Sequence, residues 1–342
     1  GRPDYGRPEV RQFILDNITM WLSEYRLDGL RLDSTIYMRN TMGVDGDPAH
    51  DIDDAWVLLQ DIVTLAHKIN PSAIMIAEDS AASAYITKPR TENGCGFDAQ
   101  WELGFPHGLR DGFGLTPGTD AKLAGVRYTL EHDYNGNAFE KIIFSDSHDT
   151  AANGSARLND IVTPENPTSL VARQKSLLAA SLMFTAPGIP MLLQGAEFLQ
   201  KGAFNDWQAL EWEHFKHHAG FTEAHKHLIA LRKNTYGNTG GLLGQYTDIF
   251  HQDDVNRVIG FRRSSGGATP DDVLVIANFS NAAVDEYRLP LSLSGEWKVR
   301  FNSTWKGYSQ DFPEILFETI QTDDQSQATI TLAPYMVLIA SR

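Results

Sequence analysis

The sequence predicts an α/β unit built on a parallel sheet, followed by an all-β antiparallel sandwich. Three observations carry this. Apolar runs end in acid three times, at Leu30-Arg31-Leu32-Asp33, at Ile74-Met75-Ile76-Ala77-Glu78 and at Ile142-Ile143-Phe144-Ser145-Asp146-Ser147-His148-Asp149. Stretches with helical period precede the first run and separate it from the second. From Gly237 onward the pattern changes to short alternating runs, with Gly237, Gly240, Gly241 and Gly244 marking the change.

Residues 10–25 place Phe13, Ile14, Ile18, Trp21 and Leu22 on one face of a helix. The run from Asp28 to Asp33 is then a strand. Its period of two puts Arg31 and Asp33 on the same face, so the guanidinium can hold that carboxylate ionised and oriented. Residues 55–69 repeat the helical period through Val57, Leu58, Ile62, Leu65 and Ile69, and Asn70-Pro71 ends it. The next run, Ala73 to Asp79, is continuously apolar, as in a strand buried on both faces. Strand, helix, strand at this spacing is a βαβ unit with parallel neighbours and a right-handed crossover.

A short strand over 94–101, a partly helical loop over 104–115 and the start of a helix over 123–128 lead to the third acid-ended run. A polar loop follows as far as Pro167. Residues 170–184 form a strongly apolar helix, 191–194 a last strand of this part, and 225–233 its closing helix. Beyond 237, strands are expected at Val258-Ile259-Gly260-Phe261-Arg262, Val273-Leu274-Val275-Ile276-Ala277-Asn278-Phe279, Glu296-Trp297-Lys298-Val299-Arg300-Phe301, Ala328-Thr329-Ile330-Thr331-Leu332 and Met336-Val337-Leu338-Ile339-Ala340.

In a barrel of parallel strands the C-terminal strand ends form the functional face, and here they present Asp33, Glu78 and Asp149. Two carboxylates flanking a glycosidic bond divide the work: one attacks the anomeric carbon while the other protonates the leaving oxygen. The retaining course needs them roughly 5–5.5 Å apart. Three acids with one Arg and one His suit sugar chemistry.

These residues resemble the α-amylase superfamily of glycoside hydrolases and transglycosidases, and within it the 1,4-α-glucan branching enzymes. The resemblance rests on Asp4-Tyr5-Gly6-Arg7-Pro8-Glu9-Val10-Arg11, on the three acid-ended motifs in order, on Gly96-Phe97-Asp98-Ala99-Gln100-Trp101, on Pro187-Gly188-Ile189-Pro190-Met191-Leu192-Leu193-Gln194-Gly195-Ala196-Glu197-Phe198, and on the C-terminal strands. It implies that Asp33 is the nucleophile, Glu78 the general acid/base and Asp149 the transition-state stabiliser. Arg31 would orient Asp33, His148 would hydrogen-bond the bound sugar, and Trp101 would offer either an aromatic platform or a core contact. An earlier family motif on the third barrel strand, an Asp and an Asn-His pair, does not precede Asp28. The resemblance therefore implies a partial TIM (β/α)8 barrel, strands 4 to 8, over residues 1–236, then a C-terminal all-β sandwich over 237–342. Little or no activity is expected from such a portion by itself.

The implied substrate is an α-1,4-linked glucan such as starch, glycogen or a maltooligosaccharide. Transfer to a glucan 6-hydroxyl would make a branch. Transfer to water would make the enzyme a hydrolase of the α-amylase or maltooligosyl trehalose trehalohydrolase type. A non-catalytic sugar-binding scaffold is a third reading, set against by the presence of all three acids.

Composition narrows the partners. A net charge of −15 with no basic tract over 342 residues argues against nucleic acid or an anionic membrane. No run reaches the roughly 18 apolar residues of a membrane span. The single Cys95 permits no internal disulfide and favours a reducing compartment, so the cytoplasm is the expected location. No cofactor is implied. His214, His217, His218, His225 and His227 lie close in sequence but lack the spacing of a zinc site, and read as a solvated helix and loop. His148-Asp149 as the metal pair of a phosphohydrolase would need further ligands at strand ends, and none stands in order. Glu197 is expected in a structural salt bridge.

Overall fold

Pro8, at the first helical position where a missing N–H costs nothing, opens helix α1 (Pro8–Thr19), which runs into a π-helical turn at Met20–Glu24. The computed structural model describes residues 1–118, 120–267, 271–291 and 293–342. The chain packs as two compact units, one of Gly1–Leu103 and Asp133–Ile143, the other of Gly104–His132 and Phe144–Arg342.

In the first unit, β1 (Gly29–Leu32) is followed by a short helix α2 (Thr35–Arg39), then α3 (Asp53–Ile69), β2 (Ile74–Ala77), β3 (Ala99–Trp101) and β4 (Lys141–Ile143). The strands lie side by side in that order, all parallel, as the βαβ spacing predicts. Leu32 pairs with Ala77 and Ala77 with Gln100, so the ends of β1 and β2 are level. Gly29 is required at its position: a Cβ there would meet the Ile74 carbonyl oxygen at 2.1 Å. Leu58, Leu59, Ile62 and Ala66 of α3 pack with Met75, Ala77, Phe97 and Cys95 as the core. Burial pushes the Cys95 thiol up to about 12, so it is an inert packing group. The expected faces are only partly right. Phe13 and Val57 are exposed, and so is Ile74, which means that β2 is not buried along its whole length.

The second unit contains α4 (Gly104–Gly112), α5 (Leu123–Glu131), α6 (Leu158–Val162), α7 (Leu170–Thr185), β5 (Ile189–Pro190), α8 (Trp212–His217) and α9 (Ala219–Arg232). Residues 104–115 are therefore more helical than expected, and α6 interrupts the expected polar loop because Leu158 is buried. The strand expected over 191–194 is instead the pair Ile189 and Pro190. The Leu193 carbonyl accepts the Ala196 N–H, and this turn ends any ladder. Nor are all the histidines solvated. His225 of α9 is buried against Phe184 and Phe221, and burial pushes it down to about 4.

Among the described residues the all-β part has eight strands: β6 (Tyr246–Asp253), β7 (Val258–Ser264), β8 (Val273–Asn278), β9 (Val284–Pro290), β10 (Glu296–Asn302), β11 (Thr319–Gln321), β12 (Gln327–Leu332) and β13 (Val337–Ser341). A sheet ordered β11-β10-β13-β8-β7-β6 faces the two-stranded ladder β12-β9, with every pairing antiparallel. Trp297, Leu274, Ile276 and Leu338 meet Leu289, Ile330 and Leu332 in the core between them. This domain shares a compact unit with residues 104–132 and 144–236, so the units do not divide at 237. The stitches are visible. Phe113 packs on Phe279 at 5.1 Å, Arg263 donates to the Thr185 carbonyl at 3.0 Å, and Arg173 grips Asp311 at 2.9 Å, holding that carboxyl down at about 2.

Candidate active site

The level ends of β1 and β2 put Asp33 and Glu78, each one residue past its strand, side by side. Arg31 joins them. Its Nη1 donates to Asp33 Oδ1 at 3.0 Å and its Nη2 to Glu78 Oε2 at 2.6 Å. A planar guanidinium can serve two carboxylates in fixed directions where an ammonium cannot. Its Cζ lies 4.0 Å from the centre of the Trp101 ring at the end of β3. Trp101 is only 5% exposed. One face of it is thus covered by the cation, and the open sugar platform considered from the sequence is replaced by a support beneath Arg31. Asp33, by contrast, has a side chain 75% exposed, while that of Glu78 is 17% exposed.

Backbone geometry fixes Glu78 further. Ser34 adopts a left-handed conformation with φ 48°, which turns its N–H onto Glu78 Oε2 at 2.9 Å. The Thr35 N–H and hydroxyl both donate to the Glu78 carbonyl at 2.9 Å.

Behind this lies a buried network with no role assigned from the sequence. Asp79 receives Arg39 through Nε at 2.9 Å and Nη2 at 2.9 Å, the Thr35 hydroxyl at 3.0 Å and the Ala81 N–H at 3.2 Å. Arg39 also donates to both oxygens of Asp45, at 2.5 and 3.0 Å. These carboxylates raise the Arg39 pKa in spite of its burial. The one available sequence signal was spacing: Thr35 and Arg39 are four apart, on one face of α2.

The second unit carries the other two expected residues. His148 Nε2 lies 3.2 Å from Asp149 Oδ2, and both side chains are partly exposed. Their loop is a closed turn: Ser147 N–H donates to the Thr150 hydroxyl at 2.7 Å, and Ala151 N–H to the Ser147 carbonyl at 3.0 Å. Asp146, just before it, is buried and 3.5 Å from Arg110, with burial raising its pKa. Glu197 accepts the Gly195 N–H at 2.8 Å, so its contact is a backbone cap in place of the expected salt bridge. The structure therefore assembles Arg31, Asp33, Glu78 and Trp101 in the first unit and His148 with Asp149 in the second.

Comparison with known proteins agrees on the family. The family model described as alpha amylase, C-terminal all-beta domain, matches residues 245–342. The 1,4-alpha-glucan branching enzyme GlgB of Prochlorococcus marinus (strain MIT 9301) is 28% identical over 323 residues, covering 89% of this chain and 41% of the relative. That of Mycobacterium ulcerans (strain Agy99) is 28% identical over 320 residues, covering 88% of this chain and 42% of the relative. The chain thus spans about two fifths of the length of these relatives. Among solved structures, the pullulanase from Bacillus acidopullulyticus superposes with a TM-score of 0.68 at 17% identity, over 99% of this chain and 41% of that one. A pullulanase complexed with maltotetraose from Anoxybacillus sp. LM18-11 gives 0.67 at 18% identity, over 99% and 47%.

Proposed function

We propose that this chain, a member of the α-amylase superfamily close to the glucan branching enzymes, supplies the acidic centre of a retaining α-glucan enzyme that transfers chains to make α-1,6 branches. The observation that supports this most directly is the Arg31 guanidinium shared by Asp33 and Glu78 at the level ends of two parallel strands. The barrel strands would be the fourth to the eighth, and the all-β domain would begin at 237.

In the first step an Asp33 carboxylate oxygen attacks the anomeric carbon, the bond to the 4-oxygen breaks, and Glu78 gives that oxygen its proton. A glycosyl ester on Asp33 results. In the second step Glu78 takes the proton of an incoming glucan 6-hydroxyl, which attacks the same carbon and releases Asp33. Asp149 and His148 hold sugar hydroxyls as the ring flattens. If water arrives in place of the 6-hydroxyl, the same centre is a hydrolase.

The test uses this chain and, beside it, the complete gene product, each incubated with amylose. Loss of iodine colour with new α-1,6 linkages and few reducing ends is expected from the complete gene product, and little or no change from this chain by itself. Reducing ends in step with the bonds broken would overturn transfer in favour of hydrolysis. Asp33→Asn abolishes either activity, and an unchanged rate would remove Asp33 from the mechanism.

A further inference from the structure

The loop of residues 199–211, in the second unit, has no role in the chemistry above, yet it is pinned at every side. It enters at Leu199, a buried residue held in the left-handed region at φ 61°, where a Leu persists only if its surroundings over-determine it. Gln200 N–H donates to the Gly195 carbonyl at 2.9 Å, and Gln200 Oε1 accepts the Glu211 N–H at 2.8 Å, closing the base of the arch. Gly202 N–H is held by Asp160 at 3.1 Å, and Phe204 N–H donates to the Ala151 carbonyl at 2.7 Å. The Phe204 ring meets His148 edge-on at 5.8 Å. The arch is thus tied directly to the turn that carries Asp149.

Under the arch is a cavity of about 180 Å³ lined mainly by Arg157, Gln194, Gln200, Lys201, Asn205 and Gln208, with no carboxylate among its described lining residues. Arg157 is buried, which lowers its pKa in spite of the charges of Asp146, Asp160 and Glu197, and it donates through Nη1 to the Gln194 carbonyl at 2.9 Å. Beside this buried guanidinium the lining carries a second cation, Lys201, and the carboxamides of Gln194, Gln200, Asn205 and Gln208. Trp207, between the lining residues Asn205 and Gln208 in sequence but outside the lining itself, is 95% exposed, on a turn fixed by its own N–H to Asn205 Oδ1 at 2.9 Å. A large indole left in water on a pinned loop has no packing purpose.

We propose that this arch is a glucan subsite: Trp207 stacks on the C–H face of a pyranose ring while Gln194 and Gln208 exchange hydrogen bonds with its hydroxyls. Carboxamides both donate and accept, which matches vicinal hydroxyls, and an aromatic face beside a few placed polar groups is how small polar ligands are oriented. The carboxamides match a neutral oligosaccharide, and inorganic phosphate tests the competing pull of Lys201 and Arg157 on an anion. The subsite lies beside Asp149, so its substrate class rests on the function proposed above.

The test is calorimetric titration of this chain with maltoheptaose, with inorganic phosphate as the control ligand. Trp207→Ala weakens maltoheptaose binding about tenfold and Gln208→Ala about threefold. Trp207→Phe retains most of the affinity, and all three variants keep the parent melting temperature. Maltoheptaose binding within twofold of the parent in Trp207→Ala, no binding by the parent, or tighter binding of phosphate would each overturn the subsite. An Asp33→Asn protein separates the two proposals. If it binds maltoheptaose normally and the complete enzyme carrying it still turns over, the catalytic reading fails and the subsite stands.

Discussion

Arg39→Met removes the centre of the network behind Glu78. The Arg39 side chain is 6% exposed and that of Asp79 is fully buried, so the substitution leaves a carboxylate in the interior with only the Thr35 hydroxyl and the Ala81 N–H as partners. Breaking a buried pair from one side costs about 3–5 kcal/mol. At an m value of about 2 kcal/mol/M this moves the urea midpoint down by about 2 M. Urea unfolding followed by circular dichroism reads the shift. The double variant Arg39→Met with Asp79→Leu removes the stranded charge and recovers much of the loss, so the two substitutions are strongly non-additive. A single-variant loss below about 1 kcal/mol, or a double variant equal to the sum of the singles, would refute the assignment of buried charge to this pair.

Two further outcomes follow from the site and its surroundings. His225 is pushed down to about 4 in the folded chain against about 6.5 unfolded. The unfolded chain therefore takes up the proton first as pH falls. Stability is full above pH 7 and declines between about 6.5 and 4 by about 3 kcal/mol. His218, half-buried and also pushed down to about 4, acts with the same sign. A His225→Phe variant flattens this slope, and an unchanged slope in urea midpoints from pH 4 to 7 would contradict it. Glu78→Gln slows a natural glucan far more than a substrate whose leaving group needs little protonation; equal losses on both in single-turnover assays would count against the acid role.

The parts of the fold that were legible in the sequence are those where burial imposes a period. α3, α7, β8 and β13 have buried faces that read directly as apolar runs, whereas β6 and β11 are sheet edges with few buried positions and so left no pattern. β9 has alternation, but Glu286 at φ 49° interrupts it with an irregular register, and the eye loses the period there. The pairing of Arg31 with Asp33 followed from strand geometry alone. The bond from Arg31 to Glu78 needed the register of β1 on β2, and the network through Arg39 needed α2, a helix too short for periodicity to announce. Trp207 carried no pattern at all, since only its exposure on a pinned loop sets it apart.

Ser34 has one more consequence. Its amide serves Glu78 only while the backbone turns left-handed, so the position tolerates few replacements: Gly, Asn and Asp keep both the turn and the amide at little cost. Val and Ile are opposed by their branched side chains, and Pro fails twice, having neither the required φ nor a hydrogen to give. A saturation library at this codon should thus return a narrow set of survivors, chosen by main-chain shape and indifferent to the hydroxyl.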